Sequence, residues 1–396
     1  MSNWLPQLDA ALQGRRQKSE YRERRVVASG QGVTVKIDDR EYLNFSSNDY
    51  LGFAHEPALR ETIMQAVADY GTGSGASHLI VGHQYPHQQL EQRLAQLTGR
   101  DRALLFSTGY MANMGVLTAL LGKGDKAFQD RLNHASLLDG ALASGARLLR
   151  YRHNDSGHLQ QLLARHPGGR RLLAVDSVFS MDGDIAPLDQ LAAICESSDV
   201  VMMVDDAHGF GVMGETGLGA AEHYGLDQQR LPILMATLGK AMGAAGAFVA
   251  GSDALIETLV QFCRPYIYST AMPALTAVAA LNAIEMNLAQ PQRRAHLHSL
   301  IRYYRQSAAR IGLPLCDSTT AIQPLLVGSS EHALQLSEAL YRAGILAVAI
   351  RPPTVPVGAA RLRLTLTARH SEQQVDELLH ALDQAFSKLG LPRKVA

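Results

Sequence analysis

Three short segments of the chain place polar, reactive residue types directly after strongly apolar runs. Asp205 and His208 follow the run VVMMV, Lys240 stands in the small-residue segment TLGKAMGAAG, and the turn STGY at residues 107–110 follows ALLF. A carboxylate at the end of an apolar strand needs a partner because burial penalises its charge. A lysine among small residues suits covalent chemistry through its amine. A turn that begins a helix presents backbone N–H groups to an anion such as phosphate.

Together, these features match the needs of pyridoxal 5′-phosphate. Taken singly, Asp205 is also consistent with a structural ion pair, and the turn with an ordinary helix start. In combination, Lys240 would form a Schiff base with the cofactor, Asp205 would keep a proton on its pyridine nitrogen, and the turn at Gly109 would bind its phosphate. A protonated ring withdraws electrons from the Cα atom of an amino acid. The sequence therefore predicts an enzyme that activates amino acids at Cα.

The elements that must position these residues are predicted from the hydrophobic pattern. From about residue 100 to 251, short runs that are apolar on both faces recur between helical stretches, which is typical of a doubly wound, mostly parallel α/β sheet. In such sheets, ligands bind beyond the carboxyl ends of the strands. Later strand-like and helical runs predict a smaller α+β domain. We predict an N-terminal helical and hairpin segment over 1–45, a large domain over 46–288 and a small domain over 289–396.

Composition excludes several classes of protein. The 396 residues suit two or three structural units. The 37 basic residues balance 37 acidic ones, so no net charge attracts nucleic acid or an anionic membrane surface. The longest apolar stretch falls short of the ~20 residues that span a bilayer, and the N-terminal residues lack the apolar segment of a signal peptide. We expect a cytoplasmic protein that binds neither nucleic acid nor membrane.

Motifs for metal or nucleotide binding are incomplete. The three cysteines are widely spaced without CxxC pairing, which predicts reduced, buried thiols. Between His83 and His87 stands Pro86, which would break a shared helix, and no carboxylate completes a zinc set. The segment GTGSGA from Gly71 follows a helical run, whereas a dinucleotide-binding loop follows a strand. We therefore predict no metal site and no nucleotide site.

An ordered set of motifs over nearly the whole chain resembles the α-oxoamine synthase family of pyridoxal phosphate enzymes. The motifs are NFSSNDYLG from Asn44, GTGSGAS from Gly71, RLNHASLLDG from Arg131, SVFSMDGD from Ser177, VDDAHGFGVMGETGLG from Val204, TLGKAMG from Thr237 and IYST from Ile267. The resemblance implies an aspartate-aminotransferase-like fold and a decarboxylative condensation of an amino acid with an acyl thioester. The stretch AIRPPTVPVGAARLRLTLTARH from Ala349 most resembles members that use L-alanine and a pimeloyl thioester.

The resemblance implies a role for each cofactor contact. Lys240 would be the Schiff-base lysine and the base at Cα, Asp205 the partner of the ring nitrogen, and His134 the imidazole that stacks on the ring and meets a substrate oxygen. The phenolic oxygen and the phosphate would be held by a further set: Ser180, His208, Gly109, Tyr110, Thr237 and, from a neighbouring subunit, Ser269 and Thr270. The last two imply a homodimer with shared sites. Core or supporting positions remain the alternatives for His134, Ser180 and His208.

Substrate contacts are also implied by the resemblance. Asn48 and Arg363 would hold the amino acid carboxylate, a task suited to the planar guanidinium group. Arg22 and Thr354 would contact the acyl substrate. A structural salt bridge for Arg363 and a solvated arginine-rich face around Arg22 remain the alternatives. The thioester carrier is either coenzyme A or an acyl carrier protein, the latter as a transient partner.

Other functions are compatible with the same residues. A glycine acetyltransferase or a 5-aminolevulinate synthase would use the same cofactor contacts with glycine and another thioester, and only the C-terminal RPPTVP stretch argues against them. An aminotransferase or a lyase would need none of the thioester contacts. A non-catalytic scaffold would be expected to lose the lysine, and Lys240 is present.

Overall fold

The computed structural model describes residues 4–394 and divides the chain into two compact units. The larger unit comprises Asp49–Ser180 and Ile185–Ala295. The smaller unit comprises the chain up to Asn48, the short segment Met181–Asp184, and the chain from His296 onward. Hydrophobic patterns suggested boundaries at residues 45 and 288, but patterns alone do not show that the N-terminal segment groups with the C-terminal residues.

The strands are, in chain order, β1 (Thr34–Ile37), β2 (Arg40–Asn44), β3 (Arg102–Phe106), β4 (Lys126–Asp130), β5 (Arg147–Tyr151), β6 (Arg171–Asp176), β7 (Val201–Asp205), β8 (Ile233–Thr237), β9 (Ala247–Gly251), β10 (Ile322–Gly328), β11 (Ile345–Leu346), β12 (Val348–Ile350) and β13 (Ala360–Thr365). The α-helices are α1 (Pro6–Gln17), α2 (Arg60–Tyr70), α3 (Tyr85–Thr98), α4 (Gly109–Leu120), α5 (Ala135–Ser144), α6 (Ser156–Arg165), α7 (Leu188–Ser198), α8 (Ala220–His223), α9 (Asp253–Phe262), α10 (Arg264–Ile267), α11 (Ala274–Ala289), α12 (Pro291–Arg310), α13 (Ser330–Arg342) and α14 (Glu372–Leu389). A 3₁₀ turn covers Pro57–Leu59 and a π-helical turn covers His78–Gly82.

The larger unit is built around a seven-stranded sheet in the order β3-β9-β8-β7-β6-β4-β5. Every neighbouring pair in it is parallel except those that involve β9, which is antiparallel to β3 and to β8. Strands β6 to β9 are buried along most of their length, as expected for strands between two helix layers. The predicted doubly wound, mostly parallel sheet is confirmed. Strands β4 (KAFQD) and β5 (RLLRY) were missed because charged and polar residues leave only short apolar stretches in them.

Helices α4 and α5 pack closely against each other in the larger unit, and both contribute side chains to the site described below. Gly140 on α5 makes this approach possible. A Cβ atom at this position would lie 2.7 Å from Leu117 Cδ1 and 3.1 Å from the carbonyl oxygen of Asn113. Because real Cβ atoms do not approach so closely in a packed core, a larger residue would force the two helices apart.

The smaller unit contains two three-stranded sheets, β1-β2-β11 and β10-β13-β12. The predicted hairpin is formed by β1 and β2, whose turn residues Asp38 and Asp39 have φ values of 47° and 60°, as a type I′ turn requires. The apolar run ILAVAI, residues 345–350, forms two short strands, β11 and β12, which are separated at Ala347. The predicted N-terminal helix covers only Pro6–Gln17, so Arg22 lies beyond it in non-helical backbone.

The segments considered above for nucleotide and metal binding can be compared with the structure. The segment from Gly71 follows helix α2 and not a strand, as predicted. Pro86 does not break a helix, because it lies in the first turn of α3, where a proline loses no helical hydrogen bond. His87 Nδ1 accepts a hydrogen bond from the Gln84 backbone N–H (2.9 Å), which completes the helix start. Within residues 4–394, no group of three or more metal-ligating side chains is placed to hold an ion.

The cysteines lie apart and form no disulfide. Burial raises the pKa of the Cys195 thiol to about 12 and that of the Cys263 thiol to about 11, so both stay protonated at neutral pH. These two confirm the predicted buried thiols, whereas Cys316 is half-buried. In the part of the chain that the structure describes, no helix is both long and apolar enough to cross a membrane.

Candidate active site

A cavity of about 210 Å³ lies in the larger unit where β6, β7 and β8 end. The parallel register of these strands aligns their final residues, so that Asp176 of β6 lies beside Asp205 of β7. The cavity collects most of the cofactor contacts that the sequence predicts: Gly109, Tyr110, His134, Ser180, Asp205, His208, Thr237 and Lys240. Residues that are far apart in the chain therefore meet at one edge of the sheet, as the rule for open α/β sheets anticipates.

Asp205 is 4% exposed and its carboxylate is fixed by two hydrogen bonds. Asn113 Nδ2 donates to Oδ2 (2.7 Å), and the Ala207 backbone N–H donates to Oδ1 (2.9 Å). Burial raises the pKa of its neighbour Asp176 well above the ordinary value, and the charge of Asp205 raises it further. The cavity therefore presents a carboxylate of defined orientation beside a carboxyl group that favours its protonated form.

Asp206, the next residue, points away from this chemistry into a closed site of its own. Its Oδ1 accepts from Ser177 Oγ (2.5 Å) and its Oδ2 from the Ala220 backbone N–H (2.8 Å). A Cβ atom at Gly219 would lie 1.9 Å from Asp206 Oδ2, and the φ of this glycine is +94°, so no other residue fits there. Of the two adjacent aspartates, Asp206 is structural and Asp205 faces the cavity.

Lys240 lies just beyond β8 and is linked to two ring side chains. Its Nζ is 2.9 Å from His208 Nε2, and His208 Nδ1 is 2.6 Å from the hydroxyl oxygen of Tyr50. A protonated Lys240 would donate to Nε2, and His208 would then donate from Nδ1 to Tyr50. Tyr50 is 1% exposed, which makes it a rigid support for the histidine. Tyr50 lies in the quoted motif NFSSNDYLG but was not among the predicted site residues.

His134 precedes helix α5 and faces the cavity from the side of that helix. Its Nδ1 is 2.8 Å from Ser136 Oγ and 3.3 Å from the Ser136 backbone nitrogen, while its own backbone N–H donates to Asp176 Oδ2 (2.6 Å). Burial lowers the pKa of His134, and the nearby charge of Asp205 opposes this shift. The balance of these effects favours the neutral form of the imidazole.

The first turn of α4 provides an anion site at the cavity. Gly109 and Tyr110 are the first two residues of this helix, so their backbone N–H groups have no acceptor within it. The preceding Thr108 accepts the next N–H, that of Met111, through its hydroxyl (3.1 Å). Thr237 ends β8 at the same cavity. These donors and the positive end of the helix suit a phosphate group.

Ser269 and Thr270 are not part of this cavity. They line a separate small pocket of the larger unit together with His78 and Ser107. Ser107 Oγ donates to the carbonyl oxygen of Thr270 (3.4 Å). The other predicted phosphate contacts line the Lys240 cavity instead, and the contribution of Ser269 and Thr270 from a neighbouring subunit stays a prediction.

The predicted substrate contacts form two pairs within the smaller unit. Arg363 is 8% exposed, and it donates to Asn48 Oδ1 (3.1 Å) and to Thr365 Oγ1 (3.2 Å). Arg22 and Thr354 are both exposed, and Arg22 donates to the Thr354 hydroxyl (3.2 Å).

Arg22 and Thr354 also line a cavity of about 580 Å³ in the smaller unit, with an apolar wall that includes Val27, Leu334 and Ile350. Arg351 at this cavity donates to the backbone carbonyl groups of Ser19 and Tyr21. These two bonds hold the segment that carries Arg22. The cavity therefore combines cationic groups with apolar surface, and three of its arginines, Arg22, Arg24 and Arg25, are exposed.

Three residues at the Lys240 cavity were missed by the sequence analysis: Asn113, Ser136 and Asp176. Asp176 follows the apolar run RLLAV, so it carries the same signal that identified Asp205. Asn113 and Ser136 lie inside helical runs, where nothing in the local sequence separates a polar residue in a site from one in the core.

Comparisons with known proteins identify the family of this chain. The profile of the aminotransferase class I and II family matches residues 40–382, and the chain belongs to this family. It is similar to the 8-amino-7-oxononanoate synthase of Cellvibrio japonicus (strain Ueda107), with 54% identity over 384 residues, covering 97% of this chain and 96% of that protein.

Solved structures confirm the aminotransferase-like fold. A serine palmitoyltransferase from Sphingomonas wittichii matches with a TM-score of 0.93 and 30% identity, covering 99% of this chain and 100% of that one. An 8-amino-7-oxononanoate synthase from Francisella tularensis matches with a TM-score of 0.77 and 30% identity, covering 88% of this chain and 99% of that one.

Proposed function

We propose that this protein condenses L-alanine with a pimeloyl thioester, with loss of CO₂, to give 8-amino-7-oxononanoate and a free thiol. The reaction is a step of biotin biosynthesis, and the cofactor is pyridoxal 5′-phosphate. The observation that carries the proposal is the 54% identity to an 8-amino-7-oxononanoate synthase over 97% of the chain. The Lys240 cavity supports it independently, because its residues have the chemistry that this reaction needs.

The side chains at the cavity fit pyridoxal phosphate. An amine, a buried carboxylate held by two hydrogen bonds, and the first two backbone N–H groups of helix α4 face one space. They match the aldehyde, the ring nitrogen and the phosphate of the cofactor, in that order. When bound, pyridoxal phosphate supplies an electron sink that makes the Cα proton of an amino acid acidic and assists loss of a carboxylate.

Lys240 would hold the cofactor and then act as the base that takes the proton from Cα of alanine. The new bond joins Cα to the carbonyl carbon of the thioester, while the carbon–sulfur bond breaks and the thiolate takes up a proton. The bond from Cα to the alanine carboxylate then breaks and CO₂ leaves. Lys240 returns a proton to Cα, so that one amine serves in both proton transfers.

The remaining contacts follow from their chemistry. Asp205 would hold a proton on the ring nitrogen, and His208 with Ser180 would hydrogen-bond the phenolic oxygen. His134 would stack on the ring and donate to a substrate oxygen. The phosphate would be held by Gly109, Tyr110 and Thr237 and, from a neighbouring subunit, by Ser269 and Thr270.

The paired residues of the smaller unit would bind the substrates. Arg363, held by Asn48, would grip the alanine carboxylate and so decide which bond of Cα is broken. Arg22 and Thr354 would hold the acyl chain, whose far carboxylate matches the guanidinium group. We further propose a cytoplasmic homodimer and an acyl carrier protein as a transient partner for delivery of the thioester.

A spectroscopic titration tests the proposed function. The purified protein is loaded with pyridoxal phosphate, and its visible absorption is followed on addition of L-alanine and then of pimeloyl thioester, on coenzyme A in one arm and on carrier protein in another. Parallel arms use glycine with acetyl-CoA and L-serine with palmitoyl-CoA. We expect the cofactor band to change with L-alanine and 8-amino-7-oxononanoate to form only in the pimeloyl arms. Product in the glycine or serine arm alone would keep the family and overturn the substrate.

A further inference from the structure

Asn113 is completely buried in α4 and uses one amide nitrogen to connect two parts of the cavity. Its Nδ2 donates to Asp205 Oδ2 (2.7 Å) and to Ser136 Oγ (2.8 Å). Within residues 4–394, its Oδ1 has no hydrogen-bond partner. A buried amide normally satisfies its oxygen as well, so the orientation of this side chain must be set by its two acceptors.

The opposite orientation of the amide is unfavourable. It would place Oδ1 where Nδ2 now lies, within hydrogen-bond distance of the Asp205 carboxylate. Two hydrogen-bond acceptors would then face each other in a buried space with no hydrogen between them. Within the described part of the chain, Asn113 Oδ1 is left without a partner because the amide is oriented so that its two N–H bonds reach Asp205 and Ser136.

The hydrogen bond to Ser136 determines the protonation of His134. Because Ser136 Oγ accepts from Asn113, its own hydrogen is available to His134 Nδ1 at 2.8 Å. The Ser136 backbone N–H is directed at the same nitrogen (3.3 Å). With two donors facing it, Nδ1 carries no hydrogen, and the hydrogen of the neutral ring is on Nε2.

We propose that Asn113 and Ser136 are positioning residues that orient the Asp205 carboxylate and set His134 in the Nε2–H tautomer. Since Ser136 occupies Nδ1, Nε2 is the ring nitrogen left for a ligand in the cavity that His134 lines. His134 then acts as a neutral donor to an oxygen atom of the substrate, its carboxylate or its thioester carbonyl. The identity of that oxygen atom rests on the proposed function, whereas the tautomer does not.

Electrostatics agree with a neutral imidazole. Burial is the largest influence on the pKa of His134 and lowers it; the charge of Lys240 also lowers it, while the charges of Asp205 and Asp139 raise it. A neutral N–H donor can stabilise negative charge that develops on a carbonyl oxygen. It does not compete with Lys240 for the Cα proton, because its only free nitrogen already carries a hydrogen.

The experiment is ¹⁵N NMR of the histidine rings in the cofactor-loaded protein, labelled only in histidine. The ring signals of His134 are identified by their loss in His134→Gln. We expect a hydrogen on Nε2 and none on Nδ1 at neutral pH. A hydrogen on Nδ1, or a charged ring, would overturn the assignment whatever the activity of the enzyme.

Two variants separate the effect on His134 from the effect on Asp205 in the hydrogen-bond relay that joins Asp205, Asn113, Ser136 and His134. Ser136→Ala removes the hydroxyl donor, so the His134 signals should move toward a mixture of tautomers while the dissociation constant of pyridoxal phosphate changes by less than about twofold. Asn113→Leu removes both bonds, so the His134 signals should move in the same direction but no further than in Ser136→Ala, while cofactor affinity should fall about tenfold or more, since a bond to a charged group is lost. Unchanged His134 signals in Ser136→Ala would overturn the relay, even if Asn113→Leu fails to fold.

Ser144→Ala is the matched control. Ser144 lies on α5, as Ser136 does, and its hydroxyl donates to the carbonyl oxygen of Ala141 (2.7 Å). We expect its His134 signals and cofactor affinity to equal those of the unaltered protein. Failure of the proposed function would show separately, as absence of 8-amino-7-oxononanoate from the unaltered enzyme.

Discussion

The Lys240 cavity of the larger unit and the Arg22 cavity of the smaller unit hold their polar residues in opposite ways. In the first, Asp205 and Asn113 are buried, and hydrogen bonds orient the carboxylate before any ligand arrives. In the second, Arg22 and Thr354 are exposed and share one hydrogen bond of 3.2 Å. Exposed polar pairs contribute little because water and salt screen them. Burial and hydrogen bonds therefore set the geometry in the first cavity, whereas in the second a single exposed hydrogen bond leaves Arg22 and Thr354 weakly held.

The largest effect is expected for Lys240→Ala. The amine is needed both to hold the cofactor and to move the Cα proton, so turnover should fall by about 10⁴-fold or more. The thermal midpoint should stay near that of the unaltered protein, since this side chain is not part of the core. The measurement is synthase activity beside a thermal melt, with Lys388→Ala on the exposed face of α14 as control. Retained activity would show that the Lys240 amine is not needed for the reaction.

Arg363→Lys tests a buried guanidinium of the smaller unit. Lysine keeps the charge but cannot reproduce the fork that bonds Asn48 and Thr365. The KM for L-alanine should rise by about 10- to 100-fold with a smaller change in the KM for the thioester. Steady-state kinetics with each substrate varied in turn measures the difference. Equal changes in both KM values would indicate a structural role.

Arg22→Ala should have a smaller effect because this residue is exposed. The KM for pimeloyl thioester should rise by about fivefold or less. The matched probe is heptanoyl thioester, which has the same chain length without the terminal carboxylate, and its KM should not change. If the variant affected both thioesters alike, Arg22 would not be reading the carboxylate.

His370 is a buried residue of the smaller unit, so it tests whether burial fixes the position and protonation of a side chain in either unit. It stacks on Phe45, accepts from the Thr367 backbone N–H and lies 3.1 Å from the Asn44 carbonyl oxygen. Burial lowers its pKa from 6.5 to about 4. Between these values the unfolded chain binds more protons than the folded one, so the stability contribution of the neutral ring is present above about pH 6.5 and is lost as the pH falls toward 4.

His370→Gln should therefore be the less acid-sensitive protein. The difference in free energy of unfolding between the unaltered protein and this variant should shrink by about 2 kcal/mol from pH 7.5 to pH 5. Urea unfolding at both pH values measures it. A difference that stays constant with pH would mean that His370 titrates normally in the folded state.

The sequence predicted the parts of the site that local pattern can report. Apolar runs followed by Asp205, Lys240 or Gly109 located the strand ends, and the sheet that they imply was confirmed. Local pattern does not report which distant groups meet. Asn113 contacts Asp205 92 positions away and Tyr50 contacts His208 158 positions away, so both were missed. The N-terminal segment was predicted to form a helix and a hairpin, yet the backbone at Arg22 between them is non-helical, and the segment is held by Arg351.

The most direct test of the account is the stoichiometry of the reaction with L-alanine labelled with ¹³C in its carboxyl group and pimeloyl thioester as acyl donor. We expect one labelled CO₂ and one free thiol for each 8-amino-7-oxononanoate formed, and none of the three with Lys240→Ala. Pyruvate without release of thiol, or CO₂ without an acylated product, would contradict it and would mean that the Lys240 site activates amino acids for a different reaction.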